Sequence, residues 1–140
     1  MERYAGSRSW IRYRQLLAER AGIALEEEPE EREATVRGHR LHLDHWRPAA
    51  APRGTVILVH GGGGNGRVLA PFARLVTEAG WAALAPDLPG YGLTEPAPDY
   101  RGDYGEWPAV LAALAASTPG PVVLAGFSLG GLTAVLTAQQ

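Results

Sequence analysis

The chain has 140 residues, of which 46% are hydrophobic and 20% are charged, and its formal net charge at pH 7 is −2. This length suits one domain with its own core, and so small a charge gives no reason to expect nucleic acid or an anionic membrane surface as a partner. There is no cysteine, and all 13 basic residues are arginines, which excludes disulfides, thiol nucleophiles and lysine Schiff bases.

The first 33 residues are expected to form a helix followed by an acidic linker. Residues 7–21 are predicted to be an amphipathic helix, which Ser7 or Ser9 can cap and Gly22 can end. The run Glu26–Glu33 contains six glutamates and is interrupted by a proline. We interpret it as a solvated linker in preference to a binding tail.

The rest of the chain, residues 34–140, is assigned to the main domain, which is expected to begin with a β-hairpin. The hairpin is predicted over residues 34–46, with its turn near Gly38-His39. Histidines recur at every third position and suggest a metal site: His39, His42 and His45. Because alternate residues of a strand point to opposite faces, His42 would point away from the other two. A chance cluster on a half-exposed hairpin is therefore favoured, and no metal is expected.

Strands and helices are predicted to alternate after the hairpin. In chain order they are strand 55–59, helix 69–79, strand 81–85, helix 107–116, strand 121–125 and helix 129–138. The apolar stripe of the first of these helices is expected to be Phe72, Leu75, Val76 and Ala79. Alternation of this kind predicts an α/β fold with a mostly parallel sheet flanked by helices.

A glycine-rich loop, Gly61–Gly66, follows the first of these strands and has two interpretations. As G-x-G-x-x-G followed by Asp87 at the end of the next strand, it fits a dinucleotide-binding fingerprint. Together with His60 it also fits an HGGG-type loop, whose backbone N–H groups approach an oxyanion closely. A run of glycines satisfies almost any glycine template, so the fingerprint alone is weak. A phosphate-binding P-loop is excluded because Arg67-Val68 stands where lysine and serine or threonine are required.

The segment Gly126-Phe127-Ser128-Leu129-Gly130-Gly131 fits the nucleophile elbow G-x-S-x-G. In such an elbow a serine sits on a strained turn between a strand and a helix, and its neighbours must lack a Cβ. Gly126 and Gly130 meet this need. Dinucleotide binding would leave the elbow unexplained, whereas an oxyanion loop and a serine elbow after two strands of one sheet are what acyl transfer requires.

With these motifs in this order, the chain resembles the α/β-hydrolase family, of the serine esterase–lipase type, over residues 34–140. A third matching segment, Pro86–Thr94, looks like the family's D-x-x-G-x-G-x-[ST] loop. The resemblance implies that Ser128 is the nucleophile and that the N–H groups of Gly62 and Leu129 form the oxyanion hole. It assigns supporting roles to His60, Gly61, Asp87, Gly126 and Gly130, with Asp87 holding the Gly90–Gly92 loop.

The resemblance covers only the N-terminal portion of that fold. The family order is serine, acid and then histidine, yet no Asp, Glu or His follows Ser128. We therefore expect the first five strands of the fold, ending one helix after the elbow, in a chain that is truncated and inactive or weak alone. The family's spatial strand order, 1-2-4-3-5, would leave the elbow strand at an exposed edge.

The expected function is hydrolysis of carboxylic esters or related carbonyl substrates through an acyl-enzyme, without a cofactor. Two alternatives remain open: an NAD(P)-binding module that uses Gly61–Gly66, and a non-catalytic fragment that pairs its exposed sheet edge with a partner. The sequence shows no signal peptide and no apolar run that could span a bilayer, so the expected location is the cytoplasm. The richness in arginine, alanine, glycine and proline indicates a GC-rich bacterial genome.

Overall fold

The computed structural model describes residues 3–140, which form one five-stranded sheet covered by helices on both faces. The helices and strands follow in this order: α1 (Arg8–Ala21), β1 (Glu30–Val36), β2 (His39–Trp46), β3 (Thr55–Val59), α2 (Ala70–Glu78), β4 (Ala82–Pro86), α3 (Trp107–Ser117), β5 (Val122–Gly126) and α4 (Leu129–Thr137). Two short 3-10 helices, Gly66–Leu69 and Tyr104–Glu106, lead into α2 and α3. The predicted alternation after residue 54 is confirmed, with element ends displaced by at most one residue.

The sheet has the strand order β1-β2-β4-β3-β5, as expected. The pairs β1–β2 and β2–β4 are antiparallel, and the pairs β4–β3 and β3–β5 are parallel, so the sheet is mixed. Within residues 3–140, β5 pairs only with β3 and forms an edge. Because β3 and β5 are parallel, the loops that follow them leave the sheet at the same end, which is where ligands bind in open α/β sheets.

The N-terminal helix is confirmed, but the acidic linker is only partly correct. The Ser7 hydroxyl accepts a hydrogen bond from the Trp10 N–H at 3.2 Å, and Gly22 ends α1 in the left-handed conformation with φ 66°. The expectation of a solvated linker is wrong from Glu30 onward, because β1 begins there. Glu31 is buried in the structure, where cationic and hydrogen-bonding partners from distant parts of the chain compensate its charge.

The predicted hairpin is confirmed and has a two-residue turn. Arg37 and Gly38 both have positive φ, at 49° and 83°, and Val36 pairs directly with His39. Two successive residues with positive φ match the twist of the flanking strands, which favours this register. The hairpin is not half-exposed as expected, because β2 pairs with β4 on its other side and packs under helices. His39 and His42 are consequently buried.

Two apolar clusters lie on opposite faces of the sheet, because successive residues of β3 and β4 alternate between them. The face under α1 and α2 buries Trp10, Leu25, Trp46, Leu58, Leu69, Ala70, Ala73, Ala83 and Ala85. The face under α3 buries Val36, Leu41, Leu43, Ile57, Val59, Leu84, Leu88, Trp107, Val110, Leu111 and Leu114. The helices therefore cover both faces, as an α/β fold requires.

The predicted stripe of α2 is wrong for Phe72, Leu75 and Ala79, which are exposed, whereas Val76 is half-buried against the apolar cluster. Phe72 and Leu75 are 52% and 61% exposed, whereas Ala70 and Ala73 are buried against the sheet. The helix carries apolar residues on two faces, and the small residues allow it to approach the sheet closely. Among residues 3–140, none of the helices combines the length and the apolar character needed to cross a membrane.

Candidate active site

Ser128 occupies a strained turn between β5 and α4. Its backbone angles are φ 54° and ψ −124°, and its side chain is exposed. A Cβ on Gly126 would lie 2.6 Å from the Gly131 nitrogen, and a Cβ on Gly130 would lie 2.5 Å from the His60 carbonyl oxygen. Side chains at either position would therefore collide with backbone, and the two glycines permit the serine's unusual conformation.

The glycine-rich loop after β3 lies directly beside this serine. A Cβ on Gly61 would lie 3.3 Å from the Ser128 Cβ and 3.8 Å from its Oγ, and a Cβ on Gly62 would lie 3.7 Å from the Leu129 side chain. The Phe127 N–H also donates a hydrogen bond to the Val59 carbonyl oxygen at 3.1 Å. The structure thus brings together two motifs that are more than 60 residues apart in the sequence.

Two backbone N–H groups near Ser128 have no backbone acceptor among the described residues. Leu129 is the first residue of α4, and the first N–H groups of a helix have no intrahelical acceptor. The Gly62 N–H donates to no backbone acceptor within residues 3–140. Positive partial charge at the start of α4 adds to the attraction of this region for negative charge.

His60 is held in a structural position by both of its ring nitrogens. Its Nε2 accepts a hydrogen bond from the Leu88 N–H at 3.0 Å, and its Nδ1 lies 2.8 Å from the Gly61 carbonyl oxygen, to which it donates. The side chain is buried, and burial lowers its pKa. This neutral ring joins the glycine-rich loop to the loop after β4.

Asp87 is also buried, and its carboxylate accepts three hydrogen bonds. Oδ1 accepts from the Gly66 N–H at 2.7 Å, and Oδ2 accepts from the Tyr4 hydroxyl at 2.6 Å and from the Leu93 N–H at 2.8 Å. Burial alone would raise the pKa of Asp87, but these donors and the nearby His42 hold it below its usual range. The carboxylate therefore contacts the loop after β4, as expected, and also the end of the glycine-rich loop.

Sequence reasoning missed a buried charge network beside this site. Its members come from four separate segments: Tyr4, Glu31, His42, Asp44 and Arg67. Burial alone would lower the pKa of His42, but Asp87 and Glu31 raise it above its ordinary value. The sequence offers one signal of this network, a single arginine, Arg67, in an otherwise apolar segment.

The three hairpin histidines do not converge on one point. His39 Nδ1 accepts from the Ala97 N–H, whereas His42 Nε2 lies 2.8 Å from Glu31. Among the described residues, one group has ligand atoms close enough to share an ion: Glu31, His42 and Asp44. The Arg67 guanidinium contacts Glu31 and Asp44 at 3.0 and 2.7 Å. This arginine supplies the positive charge that a cation would bring, so we interpret the group as an ion-pair network.

A family model described as alpha/beta hydrolase fold matches residues 54–140. The chain belongs to this family. Among curated proteins, it is 34% identical over 107 residues to a pimeloyl-[acyl-carrier protein] methyl ester esterase from Shewanella sp. strain MR-7, covering 75% of the chain and 36% of that protein. A second esterase of the same name, from Shewanella oneidensis, is 34% identical over 100 residues, covering 71% of the chain and 34% of that protein. The chain thus spans about a third of the length of these relatives.

Solved structures support the same fold. A bacterial membrane phospholipase A superposes with a TM-score of 0.68 at 28% identity, covering 91% of the chain and 37% of that structure. An epoxide hydrolase from Vigna radiata also gives a TM-score of 0.68, at 24% identity, covering 84% of the chain and 36% of that structure. At so low an identity, the likeness to the epoxide hydrolase concerns the fold alone.

Proposed function

We propose that this chain carries the nucleophile and the oxyanion hole of a serine hydrolase that cleaves carboxylic esters. The observation that carries the proposal is Ser128, exposed on a turn with φ 54° and ψ −124° at the start of α4, with the backbone of Gly61 against it. Esters fit because the two curated relatives are named methyl ester esterases.

In the proposed reaction, Ser128 Oγ loses its proton to a base and attacks the ester carbonyl carbon. The carbonyl oxygen becomes an oxyanion, which accepts hydrogen bonds from the N–H groups of Gly62 and Leu129. Collapse of this intermediate expels the alcohol, which takes up the proton, and leaves an acyl group on Ser128. Water then attacks the acyl group by the same path and releases the carboxylic acid.

The base is proposed to come from sequence beyond these 140 residues. The histidine nearest to the elbow in the fold is His60, and both of its ring nitrogens already have partners. The buried His42 lies within its carboxylate network, where Nε2 is 2.8 Å from Glu31. The curated relatives are about three times as long as the aligned segment, which leaves room for a histidine and an acid.

The dinucleotide-binding alternative has less support. Its fingerprint requires an acidic side chain that can reach a ribose hydroxyl. The Asp87 carboxylate is buried and accepts hydrogen bonds from Tyr4, Gly66 and Leu93. A ribose could bind there only by breaking these contacts.

We further propose that β5 pairs with an additional strand. Its outer edge has no partner within residues 3–140; Val123 on the strand is 45% exposed, and Phe127, directly after it, is 65% exposed. An unpaired apolar edge strand is a template for pairing with another chain or segment.

Hydrolysis of p-nitrophenyl butyrate in the presence of free imidazole tests the nucleophile. Imidazole can take the Ser128 proton, so we expect the wild-type chain to release p-nitrophenolate slowly alone and faster as imidazole is added. Ser128→Ala defines the uncatalysed reaction of ester with imidazole. The matched control is Ser117→Ala, since Ser117 lies at the end of α3 and bonds only the Leu114 carbonyl oxygen.

Three results are informative. An imidazole-dependent rate that exceeds the Ser128→Ala rate in both the wild type and Ser117→Ala supports the proposal. Equal rates in the wild type and Ser128→Ala would overturn the role of Ser128. Fast turnover without imidazole, lost in Ser128→Ala, would overturn the proposal that the base lies outside these residues, because the chain would then contain its own.

A further inference from the structure

Arg67 is a buried cation placed immediately after the glycine-rich loop. Its guanidinium binds the Asp44 carboxylate through two parallel contacts, Nε to Oδ2 and Nη2 to Oδ1, both 2.7 Å. Nη2 also lies 3.0 Å from Glu31, and Nη1 lies 3.2 Å from Glu28. Such a planar, two-pronged arrangement fixes the direction of the side chain as well as its charge. The end of the loop is therefore tied to both β1 and β2.

Two aromatic rings of the N-terminal residues lie close to this guanidinium. Its carbon lies 5.2 Å from the centre of the Tyr4 ring and 4.8 Å from the Trp10 ring. The Trp10 indole N–H donates to Glu28 at 2.7 Å, so the ring is held in place by a carboxylate that also binds Arg67. We define residues 3–28 as the N-terminal clasp, because Tyr4, Trp10 and Glu28 in this segment all contact this one side chain.

A second set of hydrogen bonds connects the N-terminal clasp to the glycine-rich loop. The Tyr4 hydroxyl donates to Asp87 at 2.6 Å, and the same carboxylate accepts the Gly66 N–H at 2.7 Å. The backbone N–H groups of Tyr4 and Ala5 donate to Glu31 at 3.0 and 2.8 Å. Tyr4 therefore contacts the partners of two consecutive loop residues, Gly66 and Arg67, at once.

The glycine-rich loop depends on the residues that anchor its two ends more than an ordinary loop does. Gly61–Gly64 carry no side chains that could anchor them, and glycine has the greatest backbone freedom of any residue. His60 fixes one end, and Gly66 with Arg67 fixes the other. Inside the loop, the Gly64 N–H donates to the Gly61 carbonyl oxygen at 3.2 Å, and the anchors hold this turn in place. The direction of the Gly62 N–H therefore depends on the anchors as well as on the turn, and oxyanion stabilisation depends on donors that are oriented before the reaction.

We propose that the N-terminal clasp positions the oxyanion loop, with Tyr4, Trp10 and Arg67 as positioning residues that act through Gly66. This inference rests on the proposed function, in which the loop supplies an oxyanion donor. It assigns a task to a segment that the family model does not cover, since the match begins at residue 54. It also explains why an arginine is buried at this point of the fold.

The test is nitrogen-15 relaxation of the glycine amides in the full chain. In the wild type we expect Gly61–Gly64 order parameters near the rigid value of about 0.85. In Tyr4→Phe, which keeps the ring and loses the hydroxyl, and in Arg67→Lys, which keeps the charge and loses the planar fork, they should fall toward about 0.6. The matched control is Tyr100→Phe, which removes a hydroxyl bonded to Pro89 away from Arg67.

A merely structural role predicts a different pattern. If the clasp only stabilises the fold, the two variants should lower the melting temperature and leave the order parameters of Gly61–Gly64 as in Tyr100→Phe, and this result would overturn the inference. The imidazole-dependent rate gives a second reading: a positioning role predicts a kcat about tenfold lower in Tyr4→Phe with KM unchanged. If no Ser128-dependent rate exists, the proposed function fails, while the relaxation result still decides the role of the clasp.

Discussion

Gly130 lies so close to the end of β3 that a methyl group on its Cα would overlap the carbonyl oxygen of Val59. The same methyl group would lie 2.5 Å from the carbonyl oxygen of His60. The first turn of α4 therefore rests directly on the backbone that leads into the glycine-rich loop. This contact joins the two halves of the candidate site without any side chain between them.

Gly130→Ala is expected to destabilise the fold, because backbone must move to admit the new methyl group. Overpacking of this kind costs about 1–3 kcal/mol in the free energy of unfolding, which urea titration followed by circular dichroism can measure. Gly62→Ala is the matched control, since its Cβ would have no neighbour closer than 3.7 Å and its φ is not positive. Equal stability of the two variants would contradict the close approach.

The parts of the structure that the sequence predicted are those with local signals. The strand–helix alternation after residue 54 depends on apolar runs bounded by glycine and proline, and the elbow depends on three residues of fixed spacing. The charge network could not be predicted in this way. Arg67 is 23 residues from Asp44 and 36 from Glu31, and nothing near any of them in the sequence indicates that they meet.

The two faces of α2 illustrate a second limit of structure prediction from sequence. Its larger apolar residues, Phe72 and Leu75, formed the expected buried stripe, but Ala70 and Ala73 contact the sheet. Periodicity shows that a helix has an apolar face but does not choose between two such faces. That choice depends on how closely the helix approaches the sheet, which favours small residues at the contact.

Asp44→Asn is expected to be strongly destabilising. The buried carboxylate binds the Arg67 guanidinium through two contacts of 2.7 Å, and without its charge the buried guanidinium keeps only Glu31 and the partly exposed Glu28 as counter-charges. Breaking such a pair costs about 3–5 kcal/mol in the free energy of unfolding, measured by urea titration. Glu95→Gln is the control, because the Arg40–Glu95 pair lies on the surface and should change nothing measurable. If Asp44→Asn loses no more unfolding free energy than Glu95→Gln does, the result would contradict the buried ion-pair network.

His42 is expected to make stability depend on pH near neutrality. Glu31 lies 2.8 Å from Nε2, and Asp87 lies 3.4 Å from Nδ1, longer than a good hydrogen bond but close enough for charge attraction. Burial would lower the pKa of His42, but these groups, with Asp44 also near, raise it above its ordinary value. A raised pKa in the folded state adds stability that is present below the unfolded value of about 6.5 and is lost as pH rises through the folded value.

The measurement is the difference in unfolding free energy between the wild type and His42→Gln from pH 5.5 to pH 9. This difference should favour the wild type most at low pH and shrink as pH rises. His45→Gln provides a control of opposite sign, because burial and the nearby arginines lower the pKa of His45. Relative to that variant, the wild type should lose stability as pH falls below about 6.5. If the difference in unfolding free energy between the wild type and His42→Gln does not change with pH, the result would contradict the raised pKa of His42.

The open edge of β5 is expected to drive self-association of the chain. Val123 on this strand is 45% exposed, and the side of β5 away from β3 has no strand partner in the part of the chain that the structure describes. Light scattering after size exclusion should give a mass above that of a monomer, and Val123→Lys should shift it toward the monomer, because a charged residue on an edge strand opposes pairing. Leu75→Lys is the matched control, since Leu75 is 61% exposed on α2 and cannot pair as a strand. If both substitutions dissociate the assembly equally, exposed apolar surface in general, and not the strand edge, holds the copies together. A wild-type chain that is monomeric would contradict the predicted self-association.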